Sequence, residues 1–208
     1  MVTSRTRSLI ASVCSVLALT IAVASCSRND GRTLRPPTAG QTDTVRPSST
    51  TAVVDDGQPP LTLTAPWGSG DPNVSDPIAD RYTCDGLDVS PPLAWSGGPA
   101  DVASYAIVMS DLDAVEYTHW VVANIPADQA SLPEDYSDPL AVIAENSRGE
   151  TGYAGPCPPT GSTHRYVLTI HALSQVLEAQ SGDPGPSLIS AIEAATLETA
   201  PFYFTYTR

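Results

Sequence analysis

Alternating hydrophobic and polar positions beyond residue 60 predict that the folded part of the chain is built from β-strands. The predicted strand segments are residues 61–64, 104–110, 118–124, 165–172 and 202–207, of which 104–110 is a nearly continuous apolar run. They are rich in Val, Ile, Thr, Tyr and Phe, and dense Pro and Gly separate them, which is typical of strands joined by surface loops. We therefore expect a mainly β protein.

One segment has the periodicity of a helix instead. Residues 187–197 bring four apolar side chains to one face, and Pro186 stands at the start, where its missing N–H costs no hydrogen bond. The apolar residues of this face are Leu188, Ile189, Ile192 and Ala195. The sequence predicts this one helix and little other helical structure.

The N-terminal segment predicts a secretory signal at residues 1–25. Arg5 and Arg7 supply the positive region, and an apolar run from Leu9 to Ala24 follows. The run is too short and has the wrong flanks for a lasting transmembrane span. It ends at Cys26, in a sequence Val-Ala-Ser-Cys that resembles a bacterial lipobox.

The lipobox resemblance implies a lipid anchor at Cys26. Its thiol would receive diacylglycerol, and cleavage before it would make it the new N-terminus. Two or three acyl chains of the palmitate type, at about 0.8 kcal/mol per buried CH₂, hold a protein on a membrane without a spanning helix. We therefore expect an exported protein anchored to the outer face of the bacterial cell membrane. An ordinary signal peptide with an incidental Cys is the alternative.

Residues 26–60 have the composition of a linker. Ser, Thr and Pro account for 14 of residues 27–60, and none is aromatic. Such a segment cannot bury enough apolar surface to offset its ordering entropy, so a disordered tether is predicted. Residues 61–208 then form one domain, long enough for a single core.

The distribution of charge narrows the possible functions. The sequence has a formal net charge of −13, and residues 61–208 hold 19 acidic residues against four Arg, with no Lys in the chain. Nucleic-acid binding needs a basic surface, so this composition argues against it. It equally argues against electrostatic docking on anionic lipid, which leaves covalent lipid to provide membrane attachment.

Two cysteines remain in the folded part once the signal is removed and Cys26 is lipidated. In an oxidising compartment Cys84 and Cys157 are expected to form a disulfide. It would close a loop of 73 residues, worth on the order of 4 kcal/mol in the chain-entropy treatment. Two free buried thiols, or metal ligands together with His119 or His164, are the alternatives.

The first candidate site segment contains two carboxylates and an imidazole. Asp111 and Asp113 follow an apolar strand, at a spacing that directs both to one face if the strand continues. They would orient a polar ligand or a nearby imidazole, or else accept backbone N–H groups in a turn. His119 opens the next strand, and its even-spaced neighbours Val121 and Ala123 predict that it points at the core.

The second candidate segment spans residues 155–166. Its Pro-Pro turn, ending in Pro159 and followed by Gly161, is suited to holding backbone N–H groups open to an anion. His164 begins a strand, and an imidazole there could donate to a phosphate oxygen. Arg165 would clamp a phosphate or pair with a carboxylate, and the acidic composition favours the carboxylate.

Together these segments resemble the phosphatidylethanolamine-binding protein family, in the bacterial branch often called Raf kinase inhibitor-like. The resemblance covers about residues 61–208. The matching stretches are residues 82–95, 111–114, 119–126 and 155–173. The family's Asp-Pro-Asp-Ala-Pro motif reads Asp-Leu-Asp-Ala-Val here, so Leu112 and Val115 remove two ring constraints. Phe204 stands where a Gly is usual in the last strand.

The resemblance implies a fold and a set of ligand-binding residues. The fold is a large antiparallel sheet packed on a smaller sheet, with few short helices. The implied pocket accepts phosphate-like head groups. The candidate ligand-binding residues are Asp111, Asp113, His119, Pro159, His164 and Tyr166.

The expected function is a membrane-anchored, non-catalytic lipoprotein that binds a phosphate or phospho-head group. An inhibitor or regulator that docks on a kinase or protease is the alternative, and a hydrolase has less support. A hydrolase needs a Ser or Cys nucleophile beside His119 or His164, and the sequence contains neither Gly-x-Ser-x-Gly nor His-Glu-x-x-His. We expect no catalysis, no metal and no cofactor. His171 lies within its strand without a local partner and is interpreted as a core residue.

Overall fold

The computed structural model describes residues 57–208, which contain two antiparallel β-sheets and one α-helix. In chain order the strands and the helix are β1 (Thr62–Thr64), β2 (Leu93–Ser96), β3 (Ser104–Asp111), β4 (Thr118–Pro126), β5 (Ser131–Leu132), β6 (Val142–Ile143), β7 (Thr163–Leu173), α1 (Gly185–Ala195) and β8 (Thr196–Thr207). The large sheet has the order β6-β4-β3-β7-β8, and the small sheet has the order β1-β2-β5. The predicted fold class is confirmed.

Both faces of the large sheet are covered, so β3 and β4 at its centre are buried along most of their lengths. One face packs on the small sheet and forms the inter-sheet core. This core includes Ile107, Met109, Trp120, Tyr166, Leu168, Phe202, Phe204, Leu63, Leu93, Trp95 and Leu132. The other face packs on α1 and forms the helix-side core. It includes Val108, Val121, Ala123, Leu188, Ile192 and Ala195.

The predicted helix is present, and its apolar face does pack on the sheet. Leu188, Ile192 and Ala195 are buried, and Ile189 is partly buried against the same cluster. The helix ends at Ala195 rather than at residue 197, because Thr196 already pairs with Leu173 of β7.

The last strand is longer than the sequence predicts. It begins at Thr196 rather than at residue 202, and it pairs with β7 along its whole length. Pro201 lies within it opposite Thr169, which a strand at the end of a sheet tolerates because its other side needs no ladder hydrogen bond. The short strands β2, β5 and β6 were not predicted. β1 is equally short, but the Leu-Thr-Leu-Thr alternation of residues 61–64 did predict it.

A segment without helix, which turns at residues 72–74, covers part of the outer edge of β8. The amide of Tyr203 donates to the Gly70 carbonyl at 3.1 Å, and that of Thr205 donates to the Asp76 carbonyl at 2.9 Å. In the other direction, the Ile78 amide donates to the Thr205 carbonyl at 3.0 Å. We call residues 70–78 the edge strap.

The N-terminal predictions lie outside the described residues. They are the signal at residues 1–25, the lipidated Cys26 and most of the linker, and the domain boundaries at residues 25 and 60 also stay predictions. Within residues 57–208 no helix is long and apolar enough to cross a membrane.

A disulfide joins Cys84 to Cys157, with a Cα–Cα distance of 5.5 Å. It links the loop before β2 to the loop before β7 across 73 residues of chain. The Cys84 amide also donates to the Pro156 carbonyl at 3.2 Å, so the two loops are held together by backbone as well as by sulfur.

Replacing both cysteines should destabilise the fold without changing it. The Cys84→Ser/Cys157→Ser variant is expected to lose on the order of 4 kcal/mol of unfolding free energy, because the unfolded chain regains the freedom of a 73-residue loop. Urea denaturation measures this difference. Reductant should destabilise the parent protein by a similar amount and leave the variant unaffected, and a loss below about 1 kcal/mol would contradict the entropic account.

Candidate functional site

A β-bulge positions the first imidazole of the site. Met109 of β3 pairs with Trp120 of β4, but Ser110 pairs with Thr118, so His119 is an extra residue without a partner opposite. A bulge of this kind interrupts the alternation of side chains along a strand and re-aims the residues beside it.

The prediction that His119 points at the core is confirmed, but the bulge places it on the other side of the sheet from its even-spaced neighbours. His119 does face the core, being only 2% exposed. Its ring, however, contacts Tyr166 of the inter-sheet core at a centroid distance of 5.4 Å, whereas Val121 and Ala123 belong to the helix-side core. The even spacing from Val121 and Ala123 therefore indicated the wrong face of the sheet for His119.

The hydrogen bonds of His119 determine which ring nitrogen carries a proton. Nδ1 lies 2.6 Å from the Ala154 carbonyl oxygen, which only accepts, so Nδ1 is the donor. Nε2 is buried and has no hydrogen-bond partner within residues 57–208. Burial lowers the pKa of His119 below its ordinary value of 6.5, against the opposing effects of the Ala154 carbonyl and the Asp111 charge.

Asp111 is a buried carboxylate whose oxygens are all used. Its Oδ2 lies 2.7 Å from His164 Nδ1, and its Oδ1 accepts the backbone N–H groups of Asp113 and Ala114 at 2.8 and 3.1 Å. The Asp111 side chain is 6% exposed and that of His164 is 17% exposed. The pair therefore closes one side of the site while the imidazole edge reaches solvent.

Tyr166 lies between the two imidazoles. Its ring is 5.4 Å from that of His119 and 6.3 Å from that of His164, and it stacks on Phe204 at 5.3 Å. Its hydroxyl is buried and makes no hydrogen bond within 3.5 Å in the described part of the chain, but it lies close enough to the Asp111 carboxylate for the two groups to interact. Burial, followed by the negative charge of Asp111, raises the pKa of Tyr166, so the hydroxyl keeps its proton.

Two of the candidate residues lie beside this group rather than in it. Asp113 forms an ion pair with Arg165, accepting from its backbone amide at 2.7 Å and from its guanidinium at 3.0 Å. The prediction that Arg165 pairs with a carboxylate is thus confirmed. Pro159 is exposed in a turn in which the Ser162 amide donates to the Pro159 carbonyl at 2.9 Å. Ligand binding by Asp113 and Pro159 stays a prediction.

Sequence reasoning missed the residues that hold the Ala154 segment in place. Asp88 accepts from the Gly155 amide at 2.6 Å and from Arg148 at 2.9 Å, and Arg148 also donates to the Gly155 carbonyl at 3.0 Å. A Cβ on Gly155 would lie 2.5 Å from the Tyr82 carbonyl oxygen, so only glycine fits there. The scarcity of Arg in the domain was the one signal that could have singled out Arg148.

A groove of about 450 Å³ lies next to the site and is lined by residues of β7, β8 and the edge strap. Its walls include Val74, Leu112, Arg165 and Tyr203, and none of Asp111, His119, His164 and Tyr166 lines it. Side chains alternate along β7, so Arg165 points to the groove while His164 and Tyr166 point to the site. Because the groove lacks unpaired polar groups of this kind, we place the chemistry at the buried cluster.

His171 has a structural environment distinct from the site. Its Nδ1 lies 3.1 Å from the hydroxyl of Thr196, which itself donates to the Ile192 carbonyl at 2.7 Å at the end of α1. Burial lowers the pKa of His171 to about 4. Within residues 57–208 no group of three or more His, Cys, Asp or Glu side chains could hold a metal ion.

Comparison with known proteins identifies the family. The family model described as phosphatidylethanolamine-binding protein matches residues 69–207. This match spans well over half of the chain and includes every residue of the buried cluster. The protein therefore belongs to the phosphatidylethanolamine-binding protein family.

Individual relatives share both sequence and fold. A UPF0098 protein of Methanothermobacter thermautotrophicus is 40% identical over 138 residues, or 63% of this chain and 91% of the relative. The "Putative lipoprotein LppC" of Mycobacterium tuberculosis is 33% identical over 194 residues, or 91% of this chain and 92% of the relative. The crystal structure of Escherichia coli YbcL, a member of the mammalian PEBP family, has a TM-score of 0.65 and 27% identity, covering 72% of this chain and 99% of YbcL.

The two buried imidazoles should titrate in acid. We expect His171 to titrate near pH 4 and His119 below 6.5, because burial disfavours the charged ring. An unfolded His binds its proton at about 6.5, so the free energy of unfolding should fall as the pH drops from 6.5 towards 4. NMR titration of the ring protons, assigned with His119→Asn and His171→Asn, measures both values, and a ring that titrates above 6.5 would contradict its assigned burial.

Proposed function

We propose that this protein is a lipid-anchored, non-catalytic binding protein for a small ligand of the phosphate type. One observation carries the proposal: His119 Nε2 and the Tyr166 hydroxyl oxygen are both buried without hydrogen-bond partners in the described chain, on rings whose centroids lie 5.4 Å apart. Buried polar groups in folded proteins are almost always hydrogen-bonded, and a group left without a partner needs an explanation. A polar ligand that bonds to both supplies one.

The immediate surroundings favour an anion even though the domain is acidic. The charge of Asp111 is offset by His164 and by two backbone N–H groups, and Arg148 contributes positive potential at His119. At longer range the 19 acidic residues oppose an anion. We therefore expect weak binding that depends on short-range hydrogen bonds.

The absence of a positioned nucleophile supports a binding role over catalysis. Cys157, the one thiol in the second segment, is consumed by the disulfide. In residues 57–208 neither His119 nor His164 is hydrogen-bonded to a Ser, Thr or Cys side chain. Activation of a nucleophile requires such a contact with a base.

Similarity to the lipoprotein relative supports the membrane anchor. The match to the Mycobacterium tuberculosis protein covers 91% of this chain, a share that residues 57–208 cannot supply alone, so it reaches into the N-terminal segment. Together with the lipobox pattern that ends at Cys26, this favours lipid attachment at that residue.

Phosphate-type ligands should stabilise the protein through His119. We expect inorganic phosphate and phosphoethanolamine to raise the thermal midpoint of the full chain in detergent, saturably, as mass action requires for a ligand of the native state. His119→Ala should abolish the shift while remaining folded, and Asp128→Asn, at an exposed carboxylate just beyond the end of β4 opposite to His119, should preserve it. Phosphoethanolamine should be recovered unchanged by ³¹P NMR.

Two outcomes would count against the binding proposal. If no phosphate compound shifts the midpoint, the pocket does not bind this class, and a search for a protein partner becomes the better course. If the shift survives His119→Ala, ligands bind elsewhere on the chain.

The anchor is testable with two cysteines of the same N-terminal segment. Cys26→Ser should abolish incorporation of a labelled fatty acid and move the protein from the detergent phase to the aqueous phase in Triton X-114 partitioning, because the acyl chains supply the membrane affinity. Cys14→Ser, which alters the predicted apolar run instead, should keep both properties. Label that persists in the Cys26→Ser protein would exclude this residue as the attachment point.

A further inference from the structure

The tautomer of His119 restricts which ligands the site accepts. Nδ1 gives its proton to the Ala154 carbonyl at 2.6 Å. In the neutral ring Nε2 therefore carries a lone pair and no hydrogen, and it is this atom that is buried without a partner in residues 57–208. His119 Nε2, the atom proposed to contact a ligand, is therefore a hydrogen-bond acceptor and not a donor.

The neighbouring Tyr166 hydroxyl has the complementary property. It keeps its proton, since burial and the nearby carboxylate of Asp111 disfavour its ionisation. The site thus presents one hydrogen-bond donor and one hydrogen-bond acceptor, beside a carboxylate. An oxyanion without hydrogen would satisfy Tyr166 but would set its own lone pairs against those of Nε2.

We propose that the site selects oxyanions that carry a proton of their own, such as the monoanion of a phosphate monoester, and that His119 Nε2 accepts the hydrogen bond from the ligand's P–OH group. An unprotonated oxygen of the same ligand accepts from Tyr166. This inference rests on the proposed function and adds the protonation state of the ligand to it.

The charged and titratable neighbours of His119 favour this arrangement over a protonated imidazole. They are Asp111 on β3, His164 and Tyr166 on β7, Tyr117 before β4, and Arg148 in the loop after β6. Burial and the positive charge of Arg148 oppose a second proton on the ring, and together they exceed the favourable effects of the Ala154 carbonyl, of Asp111 and of the Gly155 backbone, so the pKa of His119 is lowered. A protonated ligand can donate to the neutral ring, so binding does not require the unfavourable charging of a buried imidazole.

Methyl phosphate and methyl sulfate separate the two possibilities. At pH 5 both are monoanions of nearly the same shape, since the second ionisation of a phosphate monoester lies at about pH 6, and only methyl phosphate has a hydroxyl to donate. Calorimetry on the full chain in detergent should give at least about tenfold tighter binding of methyl phosphate. The preference should shrink as the pH rises through 6, with uptake of about one proton per methyl phosphate bound at pH 8.

Matched variants connect the preference to His119. His119→Asn keeps an N–H group for the Ala154 carbonyl and removes the Nε2 acceptor, so the preference for methyl phosphate should fall at least about tenfold. His171→Asn replaces a half-buried imidazole outside the site and should leave the preference unchanged.

The outcomes distinguish this inference from the function on which it rests. Equal binding of the two esters, with both strengthening as the pH falls, would show an imidazolium donor and overturn the inference while the anion site stands. Failure of both esters to bind would overturn the anion site itself. Methyl phosphate preference that survives His119→Asn would place the acceptor on another residue and overturn the role given to His119.

Discussion

The hydrogen bond from His119 to the Ala154 carbonyl is the contact on which the site depends. It settles the tautomer of a buried imidazole and holds its ring between Tyr117 and Tyr166. The carbonyl is itself held in place, because Asp88, Arg148 and the disulfide at Cys157 fix the residues that follow Ala154. The protonation pattern of the His119 ring therefore depends on a loop that is held by two hydrogen bonds to the Asp88 carboxylate and by the Cys84–Cys157 disulfide.

The position of this polar cluster explains how a β-sandwich accommodates it. The cluster lies at the end of the inter-sheet core, where Tyr166 and Phe204 stack and the aromatic packing continues to Trp67. Asp111 enters this environment only because three groups compensate its charge, His164 and two amides. Polar groups that lacked such partners would destabilise the core unless a ligand or water completed them.

Periodicity and motif revealed the elements with many residues, and tertiary pairing determined the rest. Four strand patterns of six or more residues, and the helix, follow from apolar or alternating runs that span several turns or pleats, and β1 follows from the short Leu-Thr-Leu-Thr alternation. The start of β8 at Thr196 does not, because pairing with β7 overrides the helical pattern at that point. The orientation of His119 depends on a register shift against β3, which no single segment encodes, and the roles of Asp88 and Arg148 arise from contacts 60 residues apart.

The edge strap has a consequence for how copies of this protein meet. A sheet that ends in a long free strand offers unpaired backbone groups to the same strand of another molecule. Here β8, the longest strand, already bonds to residues 70–78 on its outer side, and at the opposite edge β6 offers only two residues. The second half of the longest strand, around Tyr203 and Thr205, therefore has few free backbone groups to offer to the large sheet of another copy, which disfavours the joining of sheets through that part of the edge.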